Sequence, residues 1–563
     1  MERNTILAIV LCVVFYVAYN KYLDKKYPDR FNYTVEQAGS SQPEVNQDKG
    51  PSSSEEIKGG QVSGTKLEQN AVPLAPEDLK FSNDDVSYEF DQVTASFKSV
   101  VLKKYFKNTE NEEAVELLNY DTPSDQLVIN ASANFDSSVP ALYQAERLDN
   151  TIKFSKIQNN WLITLSYTIP ESGYSSNLKI SYKNLLEEPR NLDTGINIRD
   201  RIDFASSSSW LPSFVPRNYF AIVGIDNSRK SEDLKSACDK LEAKSLLEGS
   251  SSTLDFIGQD LHYFVKLVKP KVGKLSYSVK KEASSSKEQC YLDFYLSQSE
   301  GMVEAGGEVN LDFLVFNGPK DVSTLVSVDE SFKNTLYLGW FNIIAHPLLA
   351  ILKAFYKVIP NYGIAIILLT FILKLLFYPL ARTAAVSAKK MQQLQPAMAQ
   401  IKLRYKDEPQ KQQQEMMKFM SQNKINPAAG CLPVLPQIPV FIAFYNVLSQ
   451  SIELRHTPFF GWIHDLSSPD PYLITPILLG VGMFLQQKLM PNTTMDKTQQ
   501  KILMAMPIVF TVMMLSLPSG LVLYMLTNTL VSIIQQRRFN KILPAKLNIQ
   551  IVEDKSDKEG RKI

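Results

Sequence analysis

The stretch at residues 363–379, GIAIILLTFILKLLFYP, decides how the rest of the chain is interpreted. It contains about 17 residues, almost all apolar, which is near the minimum length for a helix that crosses a bilayer. Lys374 interrupts the stretch, and Thr370 lies one helical turn earlier on the same face. Because a charged side chain in an apolar span costs about 2.5–3.5 kcal/mol, it usually faces a wet cavity or a partner. The alternative is that Lys374 extends its stem to the nearer membrane surface, and this stretch alone does not decide between the two.

Composition excludes several classes of function. The chain has 563 residues and a formal net charge of +1, so it lacks the basic footprint of a nucleic-acid-binding protein. Its four cysteines and four histidines have no metal-ligand spacing, and no GxxxxGK[ST] motif for nucleotides is present. The sequence therefore predicts no cofactor, no metal and no nucleic-acid specificity. Cys238 and Cys290 could form a disulfide if their region lies outside the cytoplasm.

The N-terminal part of the chain begins with a candidate membrane anchor. Residues 6–19 are an apolar run without a following small-residue cleavage site, which favours an uncleaved signal-anchor helix at residues 1–24. Residues 25–76 are rich in Ser, Gly, Gln, Asn, Glu and Pro. Such a segment buries too little apolar surface to fold alone, so we interpret it as a flexible tether.

Residues 77–331 show a different pattern, with apolar and polar residues in alternation. Residues 161–167 and 309–315 are examples, and period two with β-branched and aromatic residues predicts strands. A region of this length predicts one large all-β sandwich, with a helical insertion at residues 231–247. A sandwich of this size could be a carbohydrate enzyme. However, it contains a single histidine, His262, and no paired-acid motif, which favours a structural or docking domain.

Residues 332–360 have apolar side chains close to helical spacing, interrupted by lysines. This pattern predicts an amphipathic helix that lies on the membrane surface, with a possible break at Pro347. The lysine-containing stretch then forms the first of five predicted C-terminal spans. These spans are residues 361–381, 428–449, 472–487, 502–517 and 518–535.

Between the first two of these spans, residues 382–427 are predicted to form a basic antiparallel helical hairpin. It carries nine lysines and arginines against three acidic residues, which places it in the cytoplasm. Its methionines form either the hairpin core or an adaptable contact surface for apolar partners. The residues predicted to contact a client or the ribosome are Met391, Met398, Met416, Met417 and Met420.

The charges of the remaining loops give the same orientation. The loop at residues 450–471 is net acidic and is predicted outside, whereas the loop at residues 488–501 and the tail at residues 536–563 are basic and predicted inside. Both termini are then cytoplasmic and the β domain is outside. Several of the spans are short, which favours local thinning of the bilayer.

Polar residues recur inside the five spans, and none of them is a carboxylate. They are Thr370, Lys374, Gln437, Asn446, Thr511, Ser516, Thr527, Asn528 and Ser532. Each hydroxyl or amide taken alone is explained by an interhelical hydrogen bond. Together with the one cation, the set favours a hydrated groove that is open toward the basic hairpin.

Four stretches of the C-terminal part resemble the signature of the YidC family of membrane protein insertases. They are QPAMAQIKLRY from Gln395, NPAAGCLPVLPQIPVFIAFYNVL from Asn426, PFFGWIHDLSSPDPYLITPILLG from Pro458 and LPSGLVLYMLTNTLVSIIQQ from Leu517. The similarity runs from about Gly339 to Arg538 in unbroken order. The anchor, tether and large outer domain resemble the long form that occurs in bacteria with an outer membrane.

The resemblance implies a multi-pass, monomeric insertase of the cell inner membrane that is not an enzyme. It implies a helical polytopic core and a periplasmic β-supersandwich of the galactose-mutarotase type. The implied partners are nascent membrane proteins, the ribosome, the Sec translocon and membrane lipids. The implied substrate-groove residues are Lys374, Thr370, Gln437, Tyr524, Met525 and Asn528.

Two of these positions differ from close members of the family. The family usually has arginine where this chain has Lys374, and lysine keeps the charge without the planar fork of donors. Close members also have a second tyrosine where this chain has Met525. Two other functions remain to be compared with insertion: a small-solute transporter, or a membrane-tethered periplasmic sugar-binding or sugar-active protein. A transporter should show internal repeats with paired broken helices, and no second copy is visible.

Overall fold

The computed structural model describes residues 73–542, with gaps at 108–112, 120–127, 134–142, 204–218, 241, 272–274, 283–288, 424–433 and 490–496. The predicted anchor at residues 1–24, nearly all of the tether and most of the C-terminal tail lie outside the described residues. Within them, an all-β domain is followed by a helical part.

The β domain contains 18 strands in the part of the chain that the structure describes. They are β1 (Lys80–Ser82), β2 (Val86–Asp91), β3 (Ser96–Phe106), β4 (Ala114–Asn119), β5 (Val128–Ala133), β6 (Gln144–Leu148), β7 (Thr151–Gln158), β8 (Trp161–Thr168), β9 (Ser175–Asn184), β10 (Arg190–Asp203), β11 (Tyr219–Ile225), β12 (Ser228–Asp233), β13 (Lys244–Ser251), β14 (Leu254–Leu261), β15 (Phe264–Pro270), β16 (Leu275–Lys281), β17 (Gln289–Val303) and β18 (Glu308–Pro319). All described pairings between these strands are antiparallel.

The strands form three sheets arranged in two layers. A nine-stranded sheet has the order β12-β11-β14-β15-β18-β9-β8-β7-β6, a five-stranded sheet the order β13-β16-β17-β10-β5, and a four-stranded sheet the order β1-β2-β3-β4. In β8 every second residue is buried, as the period-two pattern predicts. The ring of Tyr167 on β8 lies 5.0 Å from the ring of Phe90 on β2, and Lys266 on β15 pairs with Asp200 on β10. The nine-stranded sheet is therefore covered by both smaller sheets, and the predicted all-β sandwich is confirmed.

The predicted helical insertion at residues 231–247 is wrong. β12 continues to Asp233, helix α1 contains only Leu234–Cys238, and β13 begins at Lys244. The side chain of Asp233 accepts a hydrogen bond from the backbone N–H of Ser236, which caps this single turn. Cys238 forms a disulfide with Cys290 at the end of this turn. Pairing of β13 with β16 then outweighs the local helical pattern.

The helical part contains helices α2 to α10 in its described residues. They are α2 (Val322–Val328), α3 (Asn342–Val358), α4 (Tyr362–Leu376), α5 (Tyr378–Arg404), α6 (Pro409–Gln422), α7 (Val434–Gln450), α8 (Ile474–Leu489), α9 (Lys497–Met514) and α10 (Ser519–Ile542). α3 packs against α4 and α7, α10 packs against α4 and α8, and α9 packs against α8. α5 and α6 form a separate hairpin with its own small core.

The predicted amphipathic helix at residues 332–360 is shorter than expected and has no break at Pro347, which lies inside α3. Phe332 instead lies in a 3-10 turn, Glu330–Thr335, and belongs to the core of the β domain. Gly339, with φ of +83°, separates this turn from α3, because a residue in that conformation cannot continue a right-handed helix. A Cβ at Gly339 would lie only 2.3 Å from the side-chain nitrogen of Asn446, so the site also requires glycine for space.

The lysine-containing stretch is divided between two helices. α4 ends at Leu376, α5 begins at Tyr378, and the two helix axes differ by 59°. Pro379 explains the bend, because it cannot donate to a carbonyl in the preceding turn and it restricts the residue before it. Within the described residues, no single helix combines the length and the apolar character needed to span a bilayer, whereas this bent pair does, and Met504–Met514 is a shorter apolar helix.

Candidate functional site

Lys374 lies near the end of α4, and its ammonium reaches α10. Lys374 Nζ donates a hydrogen bond to Ser532 Oγ at 2.7 Å, and Ser532 Oγ donates in turn to the carbonyl oxygen of Asn528 at 2.7 Å. Both side chains are half-buried, and Lys374 forms no ion pair with any described residue. A hydrogen bond to a charged group contributes about 1.5–3 kcal/mol, similar in size to the about 2.5–3.5 kcal/mol cost of a cation in an apolar span. The ammonium therefore has a partner between helices rather than only at their outer surface.

The other predicted polar residues surround this hydrogen bond at different depths. Thr370 is 1% exposed, and its hydroxyl donates to the carbonyl oxygen of Ile366 at 2.7 Å in its own helix. Gln437 on α7 and Asn528 on α10 are half-buried. Among the described residues, no hydrogen bond joins Gln437 to Lys374. The structure thus joins Lys374 through Ser532 to the main-chain carbonyl of Asn528, without a hydrogen bond from the Asn528 side chain, and leaves Gln437 on a neighbouring helix.

The half of the helix bundle that is nearer the β domain is packed with apolar side chains. The buried residues are Tyr362, Ala365, Ile366 and Leu369 of α4, Ala443, Phe444, Val447 and Leu448 of α7, and Leu521, Val522, Leu523 and Tyr524 of α10. On α4 this packing ends at Leu369, about 7–8 Å along the helix before Lys374. We call this set of residues the apolar seal. It separates the polar residues near Lys374 from the side of the β domain.

A loop at residues 451–470 covers the apolar seal on the side of the β domain. Its residues Leu454, Ile463 and Leu466 are buried in the same cluster. The carbonyl oxygen of Leu466 accepts a hydrogen bond from the N–H of Gly520, at the start of α10, at 2.9 Å. Phe459 packs so closely on α4 that a Cβ at Gly363 would lie 2.0 Å from its ring.

Tyr524 and Met525, which were predicted to contact the substrate, differ in exposure. Tyr524 is 2% exposed and its ring lies 4.6 Å from that of Phe444, so it is part of the apolar seal. Met525 is half-buried and packs against the same cluster. Tyr524 therefore lies in the packed half of the bundle rather than beside Lys374.

The methionines of the hairpin fall into two groups. Met398 is 4% exposed and forms the centre of a small core with Leu394. Met391, Met416 and Met420 pack against this core and are half-buried. Met417 is 64% exposed and is the one methionine of the predicted set that presents most of its side chain to the surroundings.

Several other polar residues of the spans are satisfied within their own helices. The hydroxyl of Thr511 donates to the carbonyl oxygen of Pro507, and that of Thr527 donates to the carbonyl oxygen of Leu523. These hydrogen bonds are intrahelical, whereas the sequence predicted interhelical ones. Ser532 is the functional candidate that the sequence did not single out. The available signal was its spacing, since Asn528 and Ser532 are four residues apart on one helix face.

Two family models match the chain. Residues 78–351 match the model described as YidC periplasmic domain, and residues 354–546 match the model described as 60Kd inner membrane protein. A membrane protein insertase YidC of Geobacter sulfurreducens is 32% identical over 553 residues, covering 96% of this chain and 98% of that protein. A membrane protein insertase YidC of Pelobacter propionicus is 33% identical over 584 residues, covering 96% of this chain and 100% of that protein.

Solved structures show more distant similarity. A crystal structure of an active YidC insertase, with its first transmembrane domain resolved, is 19% identical, covers 81% of this chain and 91% of its own, and has a TM-score of 0.37. A galactose mutarotase-like protein from Lactobacillus casei is 12% identical, covers 42% of this chain and 99% of its own, and has a TM-score of 0.29.

Proposed function

The chain belongs to the YidC family of membrane protein insertases, and on that premise we propose which of its residues receive the inserting polypeptide. It is an inner-membrane protein with a periplasmic domain. The proposed receiving surface is the polar part of the interface between α4, α7 and α10, below the apolar seal. Its residues are Lys374, Ser532, Asn528 and Gln437, with Thr370 at the boundary.

The orientation of the helices follows from the periplasmic β domain. The loop at residues 451–470 lies on the side of that domain, so we place the apolar seal at the periplasmic end of the bundle. The opposite end, with Lys374 and the basic hairpin, then faces the cytoplasm, in agreement with the charges of the loops. We place both termini in the cytoplasm as well. The protein is proposed to act as a monomer that takes nascent membrane proteins from the ribosome, alone or beside the Sec translocon.

Insertion is proposed to begin at the hairpin. The exposed Met417 contacts an emerging apolar segment, while the other methionines hold the hairpin together. The polar tail of that segment then enters the interface below the apolar seal, where Lys374 and the nearby amides replace part of its hydration. Electrostatic attraction favours acidic and polar tails at this cation.

Transfer of the apolar segment into lipid is proposed to drive the process. The outer face of α4 exposes Phe371, Ile372, Leu375 and Leu376, which form an apolar path beside the polar residues. Burial of one Leu-sized side chain contributes about 1.5–3 kcal/mol, so a few of them offset the about 2.5–3.5 kcal/mol cost of moving one charge through an apolar span. No nucleotide hydrolysis is required.

The observation that carries this proposal is the hydrogen bond from Lys374 to Ser532, because it joins the cation on α4 to a second helix, beyond the end of the apolar seal. In cells depleted of the native protein, Lys374→Arg should restore insertion of clients with acidic periplasmic tails, and Lys374→Ala should not. Lys488→Ala is the matched control, since Lys488 is an exposed lysine near the end of α8. Normal insertion of every client by Lys374→Ala would contradict the proposal.

The two rival functions gain no support. Relatives over nearly the full length are named as insertases, and the described helices present no second copy of the bent pair α4–α5. For the β domain we propose a structural and docking role without catalysis. Turnover of a sugar by the purified protein would contradict this assignment.

A further inference from the structure

The loop at residues 451–470 belongs to the helical part, yet its first residues are embedded in the β domain. Ile452 is 6% exposed and lies in the hydrophobic core of the β domain, not in that of the helices. Arg455 Nη2 donates a hydrogen bond to the carbonyl oxygen of Phe106, at the end of β3, at 2.6 Å. The guanidinium of Arg455 also lies over the rings of Tyr263 and Phe264, with distances of 5.8 and 5.6 Å to their centroids.

An ion triad joins the same loop to the β domain through α3. Lys353 Nζ on α3 lies 3.0 Å from Oδ1 of Asp321, which lies two residues after the end of β18. Lys353 also pairs with the carboxylate of Glu453 in the loop. The carboxylate of Asp321 has a second role, because it accepts a hydrogen bond from the N–H of Thr324 and caps α2. One lysine on α3 thus connects the segment that follows the last strand of the β domain with the loop.

The triad is largely removed from water, so its members depend on one another. The side chains of Lys353, Asp321 and Glu453 are 29%, 16% and 12% exposed. Burial raises the pKa of Glu453, and Lys353 offsets only part of this effect. A buried carboxylate that loses its cation is strongly unfavourable, so the triad strongly favours one arrangement of the three segments.

The remaining residues of the loop close the end of the helices that carry the receiving surface. Phe459 packs on Gly363 at the start of α4, and Ser468 accepts a hydrogen bond from the N–H of Ser519 at the start of α10 at 2.7 Å. α4 carries Lys374 and α10 carries Ser532. The loop is therefore attached to the β domain at one end and to α4 and α10 at the other.

We propose that residues 451–470 act as a latch. Through this loop the periplasmic domain keeps the apolar seal closed at the periplasmic end of the receiving surface. Lys353 and Arg455 are positioning residues: they touch no client, and they fix the loop that covers the apolar seal. Loss of either contact lets the loop move and exposes the seal to the periplasm. The inference rests on the groove assigned above, but its test measures access to the seal and needs no client.

The test uses the full-length chain with Cys12 and Cys431 replaced by serine and with a probe thiol introduced by Ala365→Cys. Ala365 is 1% exposed and lies about one turn inside α4, in the apolar seal. In spheroplasts, a membrane-impermeant maleimide reports how often this thiol becomes accessible from the periplasmic side. Labelling follows the population of the open form. The disulfide-bonded Cys238 and Cys290 do not react.

We expect Glu453→Gln, Lys353→Met and Arg455→Leu each to increase the labelling rate about tenfold or more, because each releases one attachment of the latch. Lys353→Arg should retain slow labelling. Lys357→Met is the matched control, as Lys357 is an exposed lysine one turn further along α3, and it should label as slowly as the parent.

Two outcomes would overturn the inference. If the isosteric Glu453→Gln variant folds and all variants label as slowly as the parent, the contacts stabilise the β domain without closing the groove. If Lys357→Met labels as fast as Lys353→Met, the effect comes from loss of any α3 charge. Loss of client insertion by Lys374→Ala would still support the proposed receiving surface in either case, so the two proposals fail separately.

Discussion

The pairing of Lys374 with Ser532 shows how one side chain determines the character of an interface. The ammonium could extend to a membrane surface, but in this structure it donates to a hydroxyl on another helix. That hydroxyl has its own acceptor in the main-chain carbonyl oxygen of Asn528, so the three groups form a chain with consistent donor directions. The cation remains only half-buried, which leaves it accessible to water or to an incoming polar group.

The first prediction separates Ser532 from Lys374. Ser532→Ala removes one hydrogen bond from the cation. That bond contributes about 1.5–3 kcal/mol of stabilisation when nothing replaces it, and less when water takes the place of the hydroxyl. We expect Ser532→Ala to reduce insertion of clients with acidic tails less than Lys374→Ala does. Insertion rates in proteoliposomes measure both variants.

The double variant tests whether the two residues act as a unit. The effects of substitutions within one hydrogen-bonded network are not additive. The double variant Lys374→Ala with Ser532→Ala should therefore insert clients at the same rate as Lys374→Ala alone. Thr511→Ala is the control, because the hydroxyl of Thr511 bonds only within its own helix in the described structure. Additive losses would show that Ser532 acts independently of Lys374.

The identity of the cation was predictable from the sequence, but its partner was not. Lys374 is conspicuous in an apolar run, whereas Ser532 is one of several hydroxyls in the spans and lies 158 residues away. Which hydroxyl faces the cation depends on the rotation of α10 about its axis, and packing sets that rotation. The same limit applies to Tyr524, whose place in the apolar seal follows from contact with Phe444 on α7.

At the scale of elements, the hairpin α5–α6 uses different methionines for its core and for its exposed surface. Met398→Ala removes a buried side chain from a very small core and should cost about 2–5 kcal/mol. Met417→Ala removes an exposed side chain and should leave stability within about 0.5 kcal/mol. Hydrogen exchange of α5 and α6 should therefore accelerate only for Met398→Ala.

Cross-linking measured together with hydrogen exchange separates a lost contact from a lost structure in these two variants. We expect Met417→Ala to reduce cross-linking of the hairpin to a nascent apolar segment while hydrogen exchange stays unchanged. Reduced cross-linking by Met398→Ala should follow from its loss of structure. Unchanged cross-linking by Met417→Ala would contradict the proposed capture surface.

A second element-scale prediction concerns the contact of α4 with the loop at residues 451–470. Gly363→Ala places a methyl group 2.0 Å from the ring of Phe459, so one of the two segments must move. Overpacking of this kind costs about 1–3 kcal/mol. Thermal unfolding in detergent should show a lower midpoint for Gly363→Ala. Phe459→Leu in the same chain should restore part of the loss, and an unchanged midpoint without that second substitution would contradict the close contact.

Element boundaries depended on features that periodicity does not contain. Residues 332–360 have helical spacing throughout, but the positive φ of Gly339 divides them between two domains. Residues 231–247 also seemed helical, yet pairing of β13 with β16 and the disulfide of Cys238 leave only one helical turn. In both cases tertiary contacts outweighed a local preference that was weak over a short segment. The alternation of residues 161–167, by contrast, predicted β8 correctly because one of its faces is completely buried.

At the scale of the whole molecule, the layered β domain and the helical part depend on contacts far apart in sequence. The predicted order of an all-β domain before a helical core is confirmed, because composition changes strongly between the two parts. The attachment of the domains was not predictable. It requires Arg455 to reach the end of β3, a contact between residues 349 positions apart.

The last prediction concerns the disulfide, which joins β17 of the five-stranded sheet to the end of α1, the single helical turn after β12. Cys238 and Cys290 are 52 residues apart, and the loop-closure estimate for that separation is about 4 kcal/mol of stabilisation through the unfolded state. Replacing both by serine should lower the midpoint of β-domain unfolding, measured by near-ultraviolet circular dichroism of the purified chain, and a reductant should have the same effect on the parent. Replacing Cys12 and Cys431 by serine is the control and should leave that midpoint unchanged.

Because the latch attaches this domain to α4 and α10, we expect the destabilised domain to expose the apolar seal on heating before the helices themselves unfold. Simultaneous loss of both signals in the parent and in the variant would show instead that the two domains unfold as one unit.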